Sequence, residues 1–356
     1  MRDILKDVDQ WVKEGEAVAL ATVIHTWGSA PRRVGAKMAL TKSGKIAGSV
    51  SGGCVESAVF EAGVQALGSG QPQLLKFGVA DETAWQVGLA CGGKIEVFVQ
   101  ALDPAFFELW KARLRSNQSF SLVSLIDGPG DLLGRGMVVS QDGVQFSLGA
   151  DLDEVGIEKA RTALAEGRSQ TVALAGQAEP VRAFIEVVKP TPNLIMVGGV
   201  HIAVALTALA KTLGFQTVVI DPRRAFGNTA RFPDVDQLIQ SWPEEAFFQI
   251  DISSGDAVVM LTHDPKIDDP ALKVVLNSPA FYVGALGSRV TQEKRRRRLL
   301  ADGVTSAQLD RLHAPIGLDI GAETPEEIAL AIMAEIVAAQ RQPSRPPAME
   351  QARQPE

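Results

Sequence analysis

The sequence predicts an α/β protein in two parts. A mixed α+β domain comes first, and a Rossmann-like domain with a doubly wound parallel sheet follows. Three observations carry this. From residue 194 on, apolar runs (LIMVGG, FQTVVID, DAVVMLTHD, FYVGALGS) alternate with helical stretches, the pattern of strands buried on both faces and joined by helices. Before residue 190, short strands and helices surround two glycine-rich loops. Between the two parts lies KPTPN (189–193), whose paired prolines favour an extended, exposed connection. The expected division is therefore 1–190, with 104–190 a scaffold extension of the first domain, then 191–340. A disordered tail is expected over 341–356, where four prolines fall in a stretch without periodicity.

At 356 residues the chain is long enough for two cores. Its apolar share of 46% against 22% charged is that of a globular protein. A net charge of -7 argues against nucleic acid or an anionic membrane as the main partner. No apolar run reaches the roughly 18 residues that cross a bilayer, and the first residues, MRDILKDVDQWVKEGE, mix charge with apolar positions as a surface helix does, without a signal-peptide core. Two cysteines make no disulfide framework, so the expected compartment is a reducing cytoplasm.

The elements follow in order. AVALATVIHT (17–26) is apolar and β-branched, a buried strand. The loop WGSAPRRVGAKMAL is punctuated by Gly28, Pro31 and Gly35, and a short strand and turn, MALTKSGKIAG, lead into the first glycine loop. Val55, Val59, Ala62 and Ala66 then recur at helical spacing, with Gly68 as the expected stop. KIEVFVQAL alternates as a strand does. Over 104–190, PAFFELWKARLRS and DEVGIEKARTALAEG suit helices, while SLVSLID, GMVVSQ and RAFIEVVKP suit strands; the section has no cysteine or histidine.

Both cysteines sit beside paired glycines. GSVSGGCVES (48–57) places Gly52, Gly53 and Cys54 just before a helix; LACGGKIEV places Gly92 and Gly93 just after Cys91. A thiol at a helix N-terminus meets the positive end of the dipole and free N–H groups, which favour a thiolate. Glycines give unusual backbone angles and room for a bulky ligand. Glu56 in the first turn complements the dipole and partly opposes that thiolate. Two readings follow: soft ligands or sulfur carriers, or small buried hydrophobes. Two cysteines plus His25 fall short of the four ligands of a zinc site, and no CxxC is present; a Cys–His–Asp arrangement has no sequence tie to either thiol. Arg32 and Arg33, on the proline-led loop, suit a phosphate or carboxylate, or plain solvent.

In the second part, IMVGGVHIAVAL leaves a strand, turns at Gly198 and Gly199, and enters a helix, a geometry that aims N–H groups at an anion. Asp221 follows Gly198 by 23 residues, at the end of the next strand, where a Rossmann carboxylate takes a ribose hydroxyl. Val200 stands where the dinucleotide fingerprint has its second glycine. The two glycines and Asp221 therefore read as a nucleotide-like cradle, or as a tight strand-to-helix turn with Asp221 merely opening the turn DPRR. His201, in the helix's first turn, reaches a phosphate or serves as a surface cap. THDP and GALGSR each follow a strand on the same sheet edge, with Ser288 a helix N-cap candidate and Arg289 a partner for an anion. The run KRRRR (294–298) invites a nucleic-acid reading, but five successive residues point in all directions around a helix, and a solvated, partly salt-bridged helix is the expectation.

Together these segments resemble the XdhC/CoxI family of molybdenum-cofactor insertion proteins. The resemblance rests on TWGSAPRRVGAKM, GSVSGGCVE and LACGGKIEVF, then VGGVHIAVAL, VVIDPRRAF with RFPD, LTHDP, YVGALGSR and LHAPIGLDIGAETPEEIALAIMAEIVA, over about residues 10–340. It implies a chaperone that binds the molybdenum cofactor, in plain or dinucleotide form, and holds it while the metal gains a terminal sulfido ligand. Delivery to an apo-molybdoenzyme of the xanthine dehydrogenase, aldehyde oxidase or CO dehydrogenase class follows, with a cysteine desulfurase as sulfur donor and a homodimer as the common form. On this reading Cys54 and Cys91 contact molybdenum or its labile sulfur, as soft thiolates suit a soft metal. The neighbouring glycines make room for the pterin, and the Rossmann-like domain takes the phosphate or nucleotide. The competing function is an NAD(P)-dependent oxidoreductase using Asp221, with the cysteines buried.

Overall fold

The computed structural model describes residues 1–30, 32–78, 93–174 and 181–341. The expected tail beyond Arg341 lies outside the described residues. The chain divides into two compact units, Met1–Pro190 and Thr191 onward.

In the first unit, helix α1 (Leu5–Lys13) precedes strands β1 (Val18–Trp27), β2 (Lys37–Thr41) and β3 (Ile46–Gly48), helix α2 (Glu56–Ser69), and strands β4 (Gln73–Phe77) and β5 (Lys94–Ala101). These strands form an antiparallel sheet in the order β3-β2-β1-β5-β4. Helix α3 (Pro104–Arg115) follows; Asp103 caps it by accepting the N–H groups of Ala105 and Phe106, with proline at its first position. Then come β6 (Phe120–Asp127), β7 (Gly136–Ser140), β8 (Gly143–Gln145), α4 (Ala150–Glu166), β9 (Gln170–Leu174) and β10 (Val181–Val188). Their sheet order is β8-β7-β6-β10-β9, again antiparallel. The section expected to be a scaffold extension thus repeats the first sheet strand for strand, with its helix at the same place in the order.

Period-two alternation explains the layering. On β1, Ala19, Ala21 and Val23 pack with Val55, Val59 and Ala62 under α2, while Leu20 and Ile24 point the other way. On β6, Val123 and Leu125 face α4, and Leu122 and Ile126 face back. The two sheets therefore meet through Ile24, Phe98, Ile126 and Phe184, each worth about 1.5–3 kcal/mol on burial. Among these apolar side chains runs one buried ion pair, Lys37 Nζ to Glu186 Oε2 at 2.7 Å. Helix α2 ends at Gly70, which takes the left-handed conformation that closes a helix; Gly68, the expected stop, lies inside it.

The second unit runs β11 (Asn193–Val197), α5 (His201–Thr212), β12 (Gln216–Ile220), β13 (Gln237–Ile239), α6 (Pro243–Ala246), β14 (Ala257–Met260), α7 (Pro265–Val275), β15 (Tyr282–Ala285), α8 (Arg289–Ala301), α9 (Ser306–Leu309), β16 (Leu312–His313) and α10 (Pro325–Arg341). All six strands are parallel, in the order β13-β12-β11-β14-β15-β16. The order reverses between β11 and β14, the point where such sheets open a crevice for ligands.

The arginine run is salt-bridged as expected, and the correction is the burial of one member. Arg295, expected in solvent, is 2% exposed and its guanidinium meets Asp268 of α7 at 2.9 Å. Arg298 forms a two-pronged pair with Asp269 at 2.6 and 3.1 Å. Burial pushes the Asp268 carboxyl up to about 6 against the opposing pull of Thr262 and Arg295. The physical reason is the helix period: 295 and 298 share the face turned to α7, which offers two adjacent aspartates. Arg297 on the other side pairs with Glu293 of its own helix, in solvent. Arg295→Ala should therefore lower the stability of this unit by about 3–5 kcal/mol, because it strands a buried carboxylate, while Arg297→Ala should leave the urea midpoint unmoved. Equal midpoints for the two variants would refute the buried clamp.

Candidate functional site

The loop between β3 and α2 is built around one carboxylate. Gly48, at φ 76°, turns the chain where any side chain would strike the Lys37 carbonyl oxygen. Gly52 and Gly53 also take positive φ. This curls the loop so that its amides converge on Glu56, the first residue of α2. Glu56 Oε1 accepts from the Ser49 hydroxyl (2.7 Å) and the N–H groups of Val50, Ser51 and Gly52 (3.3, 2.9 and 3.0 Å). Oε2 accepts from the Ser51 hydroxyl and from the Gly53 and Val55 N–H groups (2.8 and 3.2 Å). Burial alone would raise this carboxyl, but the two serine hydroxyls and the loop amides outweigh it and hold it at about 2.

This corrects the expected role of the loop amides and of Glu56. The N–H groups read as free for a thiolate or a ligand are engaged by Glu56, which does more than complement the dipole. Cys54 itself is exposed, as are Gly52 and Gly53, and an added Cβ at Gly53 would meet nothing within 4 Å. The structure thus places the thiol in open space on a rigid turn, not in a core.

Arg32 lies alongside: its Nε donates to the Ser49 carbonyl at 3.1 Å, and its Nη2 is 3.8 Å from Asp3. Gly93 abuts the same loop from the other side, with an added Cβ only 2.8 Å from the Ser29 carbonyl oxygen. The loop after β1 therefore joins Arg32, the Cys54 turn and the start of β5. Cys91 and Gly92 lie outside the described residues. His25 is exposed on β1, paired with Glu96 of β5 in register. Among the described residues no group of three or more His, Cys, Asp or Glu side chains is placed to hold a metal.

The second unit answers its own sequence signal differently. Gly198 has φ 112°, and a Cβ there would collide with Thr262 at 2.5 Å, so the turn needs glycine for packing. The Gly199 N–H donates to Asp221 Oδ2 at 2.8 Å. Asp221 is fully buried and also accepts from the Arg223 N–H and guanidinium, at 2.7–2.9 Å. Both carboxylate oxygens are thus occupied, where a ribose-binding carboxylate was expected; burial raises its carboxyl, yet the Arg223 contacts bring it below its ordinary value. Asp221 thus opens the turn DPRR, the alternative to ribose binding, and Arg223 of that turn is its partner. Val200 is the N-cap residue, without a side-chain cap, and His201 is exposed, with Nε2 3.9 Å from Glu326 of α10. Ser288 caps α8 by accepting the Thr291 N–H, and Arg289 is the exposed first residue of that helix. Among the described residues no helix is long and apolar enough to cross a membrane.

The molecule is thus a two-unit α/β protein, with a thiol presented on a carboxylate-locked glycine turn in one unit and a Rossmann sheet in the other. Residues 11–78 match the model of the XdhC and CoxI family, and residues 194–336 match that of the XdhC Rossmann domain. The chain is 30% identical to a probable xanthine dehydrogenase subunit of Bacillus subtilis, over 93% of this chain and 95% of that one. It is 25% identical to the molybdenum cofactor insertion chaperone PaoD of Escherichia coli, over 94% and 87% respectively. Its fold matches a crystal structure of a xanthine dehydrogenase from Bacillus halodurans with a TM-score of 0.76, at 24% identity, over 99% of this chain and 98% of that one. The chain belongs to the XdhC and CoxI family.

The Glu56 geometry fixes a pH dependence. The carboxyl protonates near its ordinary 4.5 when the chain is unfolded and only near 2 when folded. Its stabilisation is complete above 4.5 and is lost as pH falls towards 2. Wild type should therefore lose stability over that window more steeply than Glu56→Gln, measured by urea unfolding at stepped pH. Parallel curves would show that the carboxylate does not hold the loop.

Proposed function

We propose that this chain binds the molybdenum cofactor as cargo, holds it while molybdenum acquires its terminal sulfido ligand, and inserts it into an apo-molybdoenzyme of the xanthine dehydrogenase, aldehyde oxidase or CO dehydrogenase class. The observation that carries this reading is the exposed Cys54 on a turn whose shape Glu56 fixes. A soft thiol suits molybdenum or its labile sulfur, and a preformed turn avoids the ordering cost that a flexible loop would add to binding. Cys91 is the second proposed contact. Gly52 and Gly53, both exposed, leave the space beside Cys54 open for a pterin; Gly92 and Gly93 are the proposed neighbours of Cys91, and Arg32, on the adjoining loop, is the proposed contact of the cofactor's phosphate. His201, Ser288 and Arg289 are the proposed contacts of the second unit with the phosphate or appended nucleotide; Gly198 and Gly199, whose N–H groups go to the Ile220 carbonyl and to Asp221, shape the turn that carries His201. The sulfur comes from a cysteine desulfurase, and the working form is a cytoplasmic homodimer.

The oxidoreductase reading has lost its main support, since Asp221 and the Gly199 N–H satisfy each other. PaoD, a relative over nearly the whole chain, is named a molybdenum cofactor insertion chaperone, which favours the cargo reading. The decisive experiment is anaerobic incubation with molybdenum cofactor, gel filtration, and assay of molybdenum and pterin. Near-stoichiometric retention by wild type and at least a tenfold loss in Cys54→Ala are expected. A folded wild type that retains neither, or a Cys54→Ala variant that retains both in full, would overturn the role given to the thiol. Saturable NAD(H) binding weakened by Asp221→Asn would reinstate the oxidoreductase.

A further inference from the structure

The facing sheets of the first unit leave a cavity of about 380 Å³ between them, a size that suits a small ligand. It is separate from the Cys54 turn, none of whose residues lines it. Aromatic rings form much of its wall: Phe98 and Phe184 from the two sheets, Trp110 and Phe106 from α3, and Phe146 from the β8–α4 loop.

Three observations point to an occupant. Trp110 is 2% exposed, yet its indole Nε1–H has no hydrogen-bond partner. A buried donor left without an acceptor is destabilising and uncommon. The polar groups of the cavity also make a matched set. Lys37 Nζ lies 2.7 Å from Glu186 Oε2, 3.2 Å from Thr22 Oγ1 and 5.1 Å from the centre of the Trp110 ring. One ammonium therefore holds a carboxylate and an unfilled donor on its flanks, with its charge already balanced. Lastly, Phe146 sits at φ 65°, a left-handed conformation that a bulky side chain resists. It is 45% exposed and packs edge-on against Phe106 at 5.3 Å, so an aromatic pair stands beside the opening.

We propose that this cavity binds a neutral, planar heterocycle bearing a lactam edge. Aromatic walls select a flat ring. The charged lining residues are two of each sign, Lys37 and Arg135 against Glu186 and Asp103, so the walls favour an occupant without net charge. A lactam sets a carbonyl acceptor beside an N–H donor, answering the Trp110 N–H and the Glu186 carboxylate together. The proposal does not involve Cys54.

The test uses the full chain, hypoxanthine as probe, and isothermal titration together with ¹H–¹⁵N spectra of the indole N–H groups. Saturable one-to-one binding is expected, with one of the five tryptophan indole signals shifting on titration. Trp110→Phe should remove that signal and weaken binding about tenfold, the worth of one hydrogen bond. Phe146→Gly, which suits the positive φ and so keeps the fold, should weaken binding and speed release. Cys54→Ala should change nothing. No saturable binding by folded wild type, unshifted indole signals, unaltered affinity in Trp110→Phe, or loss of binding in Cys54→Ala would each overturn the proposal.

Discussion

Backbone N–H groups of a turn that leads into a helix must find acceptors, and at three such turns this chain supplies a carboxylate of its own. At the β3–α2 turn the acceptor is Glu56. At the β8–α4 turn it is Asp153, which takes the Leu148 N–H at 2.7 Å and the Ser147 hydroxyl at 2.6 Å. At the β11–α5 turn it is Asp221, brought from the neighbouring strand to the Gly199 N–H. In each case a carboxylate sits where the peptide dipoles concentrate positive potential. An internal carboxylate also competes strongly with a free anion, because the fold already holds it in place. The turns are consequently preshaped, and what they present outward is whatever side chain is left over. In the first unit that side chain is a thiol.

The fold of the second unit was legible because strands buried on both faces read as unbroken apolar runs, and LIMV, TVVI and AVVM allow little else. Its finer elements were not. Strands of two or three residues, such as Leu312–His313 and Gln237–Ile239, carry no period to detect. The repeat in the first unit is hidden in the sequence for a related reason. Topology was kept while residues were not: the helix-entry turn carries SGGCVE in one copy and LGADLD in the other, and only strand order reveals the correspondence.

The site was legible in part. Paired glycines before a helix marked the Cys54 turn, and the structure joins Arg32 and Gly93 to it through the loop after β1. Glu56 was recognised by position but not by action. The available signal was its place behind Ser49, Ser51 and two glycines, all of whose donors need an acceptor. Asp221 was identified as the carboxylate of the second turn, but its partner Arg223, only two residues on, made it an internal anchor. Lys37 and Glu186 were beyond reach of sequence reading, since 149 positions separate them. Arg295 looked solvated because five basic residues in a row hide which of them faces Asp268.

The strand order of the first unit also bears on how the chain is made. In each sheet the first strand, β1 or β6, ends up central, and the last, β5 or β10, pairs with it and with its own predecessor. Neither sheet can be complete until its final strand has emerged, yet each is complete then without any later residue. Among the described residues, every strand of the first sheet has emerged from a ribosome once residue 101 has, before any strand of the second emerges. Synthesis can therefore close one sheet before the next begins, which separates in time two topologically identical sheets that could otherwise exchange strands.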